Sequence, residues 1–295
     1  MYSLMKILRL IGMQARGWRH KPIFYLGLLL GVTFALEPTV NFMRLAKSYQ
    51  APVQVLEGFI LMGASHRICL PLMLGLFMML SDMPFLDERI GYVGLRVTRG
   101  QWMAAQLGYI AFSCAVYLGV ILVFSAAILS ANGYLGNVYS QAMTAIANDD
   151  DYRLYETYDL IFNRSGFMSL YSVTELAGLT FALLWAYAFV LGGTMFVLSL
   201  YFRRGIALAA GLTIHQVGYV LIREGAFWAN QRVSPMAHAL THTHSLPEME
   251  QLVWNYPLLS ESALVFTGWI VLICVLCALR APRQDFLAPH RNLAE

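Results

Sequence analysis

The sequence predicts an all-α polytopic membrane protein: six transmembrane helices preceded by an amphipathic helix at the inner interface. Three observations predict it. Of 295 residues, 58% are hydrophobic and 13% charged, which is too apolar for an ordinary globular domain. Six apolar stretches divide the chain, over residues 22–36, 60–80, 105–131, 172–202, 206–222 and 262–279. About 20 residues cross roughly 30 Å of hydrocarbon, so six helices leave no room for a soluble catalytic domain. The third observation is charge. Segments 1–21, 81–104, 203–205 and 280–295 hold 13 of the 20 Lys and Arg residues but only 5 of the 17 Asp and Glu. Alternate gaps that collect basic residues lie on the cytoplasmic side, which puts both termini there. The expected organisation is a cytoplasmic helix over 1–21, a membrane domain over 22–280 and a cytoplasmic tail over 281–295.

In residues 1–21, Leu4, Ile7, Leu8, Ile11, Ala15 and Trp18 recur at helical steps, with Lys6, Arg9, Arg16 and Arg19 on other faces. That pattern suits a helix lying along the inner leaflet with its cations near anionic headgroups. No small-residue cleavage site follows, so a removed signal peptide is not expected. The first span carries Gly27 and Gly31 four apart, a spacing that permits close helix approach. The second holds His66 and Arg67, about 14 residues or roughly 21 Å outward of its cytoplasmic end. A straight helix would put them in the outer third of the hydrocarbon, to snorkel outward or to face a polar path.

The fifth span carries His215 and Gln216 near mid-depth, where polar side chains face protein or water rather than lipid. Its small residues Gly205, Ala209 and Thr213 would let it pack against a partner helix. The sixth span is uniformly apolar. Its Cys274 and Cys277 lie one turn apart, and packing accounts for them better than redox or metal chemistry, which needs a thiolate beside a cation. All four cysteines fall inside spans, so no disulfide framework is implied.

Two outer loops are expected, at about 132–171 and 223–261. The first carries Asp149, Asp150 and Asp151, read as a solvated face, and the triplet Asn163–Arg164–Ser165, which fits a glycosylation pattern. The second carries His238, His242 and His244 with Glu248 and Glu250 nearby. On one helix His238 and His242 would share a face as zinc ligands do, but Ala239 stands where a catalytic glutamate would be needed. These histidines are weak metal candidates; short helices dipping into the interface beside Trp228, Trp254 and Tyr256 account for the segment as well. No phosphate loop, GxSxG elbow or GxGxxG fingerprint appears, and carboxylates are nearly missing from the spans. Energy for any work would come from another subunit.

After the second span the chain reads Ser81, Asp82, Met83, Pro84, then Asp87–Glu88–Arg89, Gly91, Gly94, Arg96, Arg99, Gly100 and Trp102. A charged short helix, glycines, an arginine before a turn and an aromatic opening the third span resemble an ABC-2-type transporter permease. The layout of amphipathic helix, six spans and long outer loop before the last span is similar too. The resemblance implies a half-transporter without a cofactor of its own, pairing with a second permease, identical or homologous, and with two ABC ATPase subunits that hold ATP and Mg. Loop 81–104 would be the coupling helix, contacting the ATPase through Asp87, Glu88 and Arg89. The second and fifth spans would line the substrate path, with His66, Arg67, His215 and Gln216 on it. Peptide, lipid or hydrophobic small-molecule cargo all fit, in a cell membrane and without nucleic acid. One departure is the outer loop of about 40 residues between spans three and four, usually short in that family. Two other readings stand: a membrane metalloenzyme using the outer histidines, or a peptide-binding sensor or immunity protein using the acidic loop.

Overall fold

A computed structural model describes residues 2–83, 97–149, 153–162, 165–223, 231–244 and 256–283. Helix α1 (Tyr2–Arg16) leads through a single 3-10 turn into α2 (Pro22–Tyr49). A two-residue strand β1 (Val53–Gln54) precedes α3 (Glu57–Ala64) and α4 (His66–Leu80). Helix α5 (Arg99–Leu129) ends near strand β2 (Gly133–Tyr134), which is followed by the short helices α6 (Gln141–Ala147), α7 (Arg153–Tyr158) and α8 (Ser165–Leu170). Then come α9 (Val173–Tyr201), α10 (Arg204–Arg223), three 3-10 turns between 231 and 243, and α11 (Leu259–Arg280). Five of these helices, α2, α5, α9, α10 and α11, are long and apolar enough to cross a membrane. The sixth expected span is a bent pair, α3 and α4, which passes that test only as a unit and turns by 93° at its break.

The contacts at helix ends show that the chain runs back and forth. At one end Lys21, before α2, pairs with Asp82, after α4, at 3.1 Å. There too Arg99 at the start of α5 donates to the carbonyl of Pro282, and Arg280 donates to Leu200 O at the end of α9. At the other end β1 and β2 pair in parallel, Val53 with Gly133 and Gln54 with Tyr134. Asn137 accepts from the backbone N–H of Thr174 at the start of α9, and Arg232 donates to Tyr256 O between α10 and α11. Six segments therefore alternate in direction, with α4 making the return that follows α2. The end carrying Lys21, Arg99 and Arg280 is the one the charge pattern assigned to the cytoplasm.

Three departures from the sequence reading have physical causes. Helix α2 does not stop at Leu36 but runs through Pro38 to Tyr49. Its last turns are held by burial of Phe42, Leu45 and Ala46, all at most 1% exposed. Span two is not straight. Ser65 is extended, and its hydroxyl accepts from the backbone N–H of Ile68, so a helix start sits inside the apolar run. The third departure is the packing of apolar residues from loop 132–171, which the sequence reading did not anticipate; Asp150, Asp151, Asn163 and Arg164 of that loop lie outside the described residues. Its Ala142, Met143, Ile146, Leu160, Phe162 and Phe167 form a second core with Phe42, Leu45, Ile60 and Leu176. Helix α3 is buried along its whole length and divides the two cores: Ile60, Leu61 and Ala64 face the outer one, Phe59 and Met62 the main one.

Helix α1 forms as expected and packs along the start of α5. The side chain of Ile11 lies over Gly108, and Gln101 donates to Ser3 Oγ at 2.8 Å. Leu10 is buried, whereas Leu4, Met5 and Leu8 are exposed, so the apolar stripe is shared between the bundle and its surroundings. Trp18 stacks on Phe24 and Phe112 and donates to Tyr109.

Candidate functional site

Polar residues inside an apolar bundle are the natural place to seek function, because each must be satisfied by protein. The described residues gather several of them along one seam, where α4 and α10 run antiparallel. The buried stripe of α10 is Ala207, Gly211, His215, Gly218 and Ile222, at steps of three and four residues. A Cβ on Gly211 would meet Met195 Cγ at 2.6 Å, so the glycine lets α10 lie close to α9. That approach brings His215 between two partners. Its Nε2 is 3.0 Å from the carbonyl of Leu70, and its Nδ1 is 2.8 Å from the hydroxyl of Tyr187. A carbonyl only accepts, so Nε2 carries the hydrogen and Nδ1 accepts from Tyr187. Both nitrogens are satisfied in the neutral ring, and His215 links α4, α9 and α10.

One turn further out, His66 opens α4 and faces Tyr219 of α10, with ring centroids 5.7 Å apart. Leu70 and His66 thus meet His215 and Tyr219 as successive rungs. His66 also faces His242 of the outer segment, at 6.2 Å between centroids. Its Nδ1 is buried without a hydrogen-bond partner among the described residues.

Of the four residues expected on a path, His66 and His215 share this seam; Arg67 and Gln216 do not. Arg67 is exposed, 3.0 Å from Asp159 and 5.3 Å over the ring of Tyr155, both from the outer loop. The bend at Ser65 explains this: it turns α3 aside, so the start of α4 meets the outer loop instead of continuing as one straight helix. Gln216 is exposed on the opposite face of α10 from the seam, beside Val217 and Val220. The small residues Gly205, Ala209 and Thr213 are on that exposed side too. Asp87, Glu88 and Arg89 lie outside the described residues. In the chain they fall between Met83, after α4, and Val97, before α5. Thr98 and Gln101 close a capping box at the start of α5, and Trp102 is buried against Phe196.

The outer histidines are divided. His238 and His242 do not share a helical face, because Leu240 is extended between the separate turns Ala237–Ala239 and Thr241–Thr243. His238 and His244 both contact Ser262 of α11 at 2.8 Å, while His242 turns toward His66. Among the described residues, no three His, Cys, Asp or Glu side chains are placed to hold a metal ion. Glu248, Glu250, Trp228 and Trp254 lie outside the described residues. Cys277 is buried and Cys274 exposed, so the two thiols do not share one environment.

Sequence reasoning missed Tyr187, Tyr219, Ser262 and Glu57. The first two are aromatic residues within apolar runs and carry no local mark of a polar partner. Glu57 sits just before the second apolar run and is fully buried. Its Oε2 accepts from Gln54 N at 3.1 Å and its Oε1 from Ser140 N at 2.7 Å. The one available signal was a carboxylate followed directly by seven apolar or small residues.

No family model matches the chain, and neither a curated protein nor a solved structure matches it.

Proposed function

We propose that the protein is the membrane-spanning subunit of an ATP-driven exporter of the ABC-2 permease type, paired with a second permease and energised by separate ATPase subunits. The observation that carries the reading is that α4 ends at the Lys21–Asp82 pair and α5 begins against α1, and that the charged sequence 84–96 links these two helices in the chain. A charged loop anchored on two helices at once can pass a rigid-body movement of a docked ATPase into both of them. The reading takes the basic face as cytoplasmic and the chain as resident in the cell membrane.

In this reading the α4–α10 seam is the element that moves. The two helices touch along it: His215 is satisfied by Leu70 and Tyr187, and the ring of His66 lies tilted beside those of Tyr219 and His242. Cargo that bound better to an open seam would shift the population toward opening, with ATP binding on the partner supplying the bias. Separating α4 from α10 would uncover His66 and His215 together, so these two are the residues assigned to the path. Arg67 and Gln216 stand apart and are assigned to outer-loop docking and to the exposed face of α10. The cargo is a peptide, lipid or hydrophobic small molecule.

Purification of the chain from its native membrane in mild detergent tests the reading. A stoichiometric partner carrying a phosphate-loop ATPase is the expected result; a chain recovered alone would sink it. With that partner in hand, reversing charge at Asp87 and Glu88 is expected to lower cargo-stimulated ATP turnover several-fold without loss of membrane insertion. Unchanged turnover would remove the coupling role from those residues.

A further inference from the structure

The outer end of the α4–α10 seam gathers positive charge. Arg67 stands in the first turn of α4, a helix of 15 residues whose dipole is positive at that end. Its side chain is 54% exposed, so the guanidinium is within reach of water. Arg223, which has contacts of its own, closes α10. The charges of both arginines act on His66, the first residue of α4. An acid answers them from the outer loop: Asp159 Oδ1 lies 3.0 Å from Arg67 Nη1, and its charge acts on His66 as well. The place therefore already holds an anion, and that anion is a carboxylate.

The fit is partial. A guanidinium presents its N–H donors as a fork that matches the two oxygens of a carboxylate. Asp159 meets it with one oxygen against one nitrogen, and its own side chain is 41% exposed. The ring centroid of Tyr155 lies 5.3 Å from the guanidinium carbon, so the ring supports one face of the cation. Water-exposed ion pairs are weak unless the contact is two-armed. Asp159 is fixed in the chain, where it ends α7 by donating its N–H to Tyr155 O, so it approaches from one direction. A carboxylate that arrives free can align with both arms of the fork.

We propose that Arg67 and the first turn of α4 form a binding site for a carboxylate group at the outer end of the seam, and that Asp159 occupies it as an internal competitor. Binding exchanges one ion pair for another: the incoming carboxylate takes the guanidinium, Asp159 returns to water, and no covalent bond changes. The exchange also frees the start of α4 from α7, next to His66, the outermost rung of the seam. The role of the site in transport rests on the exporter reading. There it would be the last contact before release, and it narrows the cargo to molecules that carry a carboxylate. The binding itself needs no ATPase.

The test uses the full chain in lipid nanodiscs without any ATPase. N-acetyl-alanyl-alanine and its C-terminal amide serve as probes, and saturation-transfer NMR reads weak binding from the signals of the probe itself. The acid is expected to bind saturably and the amide not. Affinity for the acid should fall as salt rises from about 50 to about 300 mM, because the contact is open to water. Arg67→Gln should abolish binding. Asp159→Asn should strengthen it by about 1.5- to 5-fold, the range set by loss of an exposed ion pair. Asparagine keeps the shape and tolerates the left-handed backbone of residue 159, at φ 54°. Acid and amide binding alike to the unaltered chain would overturn the site, whether or not a variant folds. So would an Asp159→Asn chain that binds the acid no better, or an Arg67→Gln chain that binds it as well. None of these results bears on whether an ATPase co-purifies, so failure here leaves the exporter reading to its own test.

Discussion

Three glycines set how near α2 and α4 approach. A Cβ on Gly75 would lie 2.5 Å from the Gly27 carbonyl oxygen and 2.5 Å from the Tyr117 hydroxyl. Additions at Gly27 and Gly31 would meet the Gly75 carbonyl and the Tyr117 ring in turn. The carbonyl is backbone and cannot swing aside, and Tyr117 is itself tied to Leu72 O. Gly75→Ala is therefore expected to destabilise the bundle by about 1–3 kcal/mol, the usual cost of overpacking. A thermal unfolding midpoint in one fixed detergent reads the effect. Gly178→Ala is the comparison: it lies exposed on α9 with nothing within 4 Å, so alanine there should be neutral or stabilising by up to about 1 kcal/mol. Equal shifts at the two sites would rule out close packing at Gly75. The spacing of Gly27 and Gly31 announced a close approach from sequence alone. It could not name Gly75 as the place approached, because a stripe of small residues fits many surfaces.

At the scale of elements, α3 turns an ordinary span into a bent one and ties the two cores together. Glu57 fixes its start: one carboxylate oxygen takes the N–H of Gln54, before the helix, and the other takes the N–H of Ser140, which caps α6. Both contacts need an acceptor. Glu57→Gln keeps the shape but turns an amide NH₂ toward one of those N–H groups, leaving a buried donor unmet at a cost of about 1–3 kcal/mol. The expected outcome is a lower unfolding midpoint and faster hydrogen exchange at Ser140–Ala147; unchanged values in both would show that the carboxylate is not needed. The positions of the apolar helices were legible because hydropathy reports what is buried or lipid-facing. The 93° bend was not, because hydropathy carries no direction and Ser65 acts as a cap only once Ile68 folds back onto it. Nor was the packing of loop 132–171, whose apolar residues are scattered among polar ones and gather only against the far end of α2. At the seam, His215 stood out as a polar group at depth, but Tyr187 became its partner only through the close approach of α9 to α10.

For the whole molecule the decisive question is whether α3 and α4 together make a crossing. Five helices qualify singly, and α4 has only 15 residues, about 22 Å at 1.5 Å per residue and short of a bilayer's hydrocarbon. The end contacts nevertheless carry the chain from the strand-bearing end to the Lys21–Asp82 end along α4. Cysteine labelling separates the alternatives. In a chain with Cys274 replaced by serine, the remaining native thiols are buried. A single cysteine at Lys6, before α2, and another at Val138, 70% exposed beyond β2, then report the two ends to an impermeant maleimide. Three crossings separate these positions if the bent pair spans, and two if it does not. With basic residues held inside, Val138→Cys should react in intact cells and Lys6→Cys only after the membrane is opened. A swapped pattern would reverse the orientation while keeping the crossing. Reaction of both from one side would mean that α3 and α4 return to the face they left, and the loop between α4 and α5 would then lie opposite the side where an ATPase could reach it.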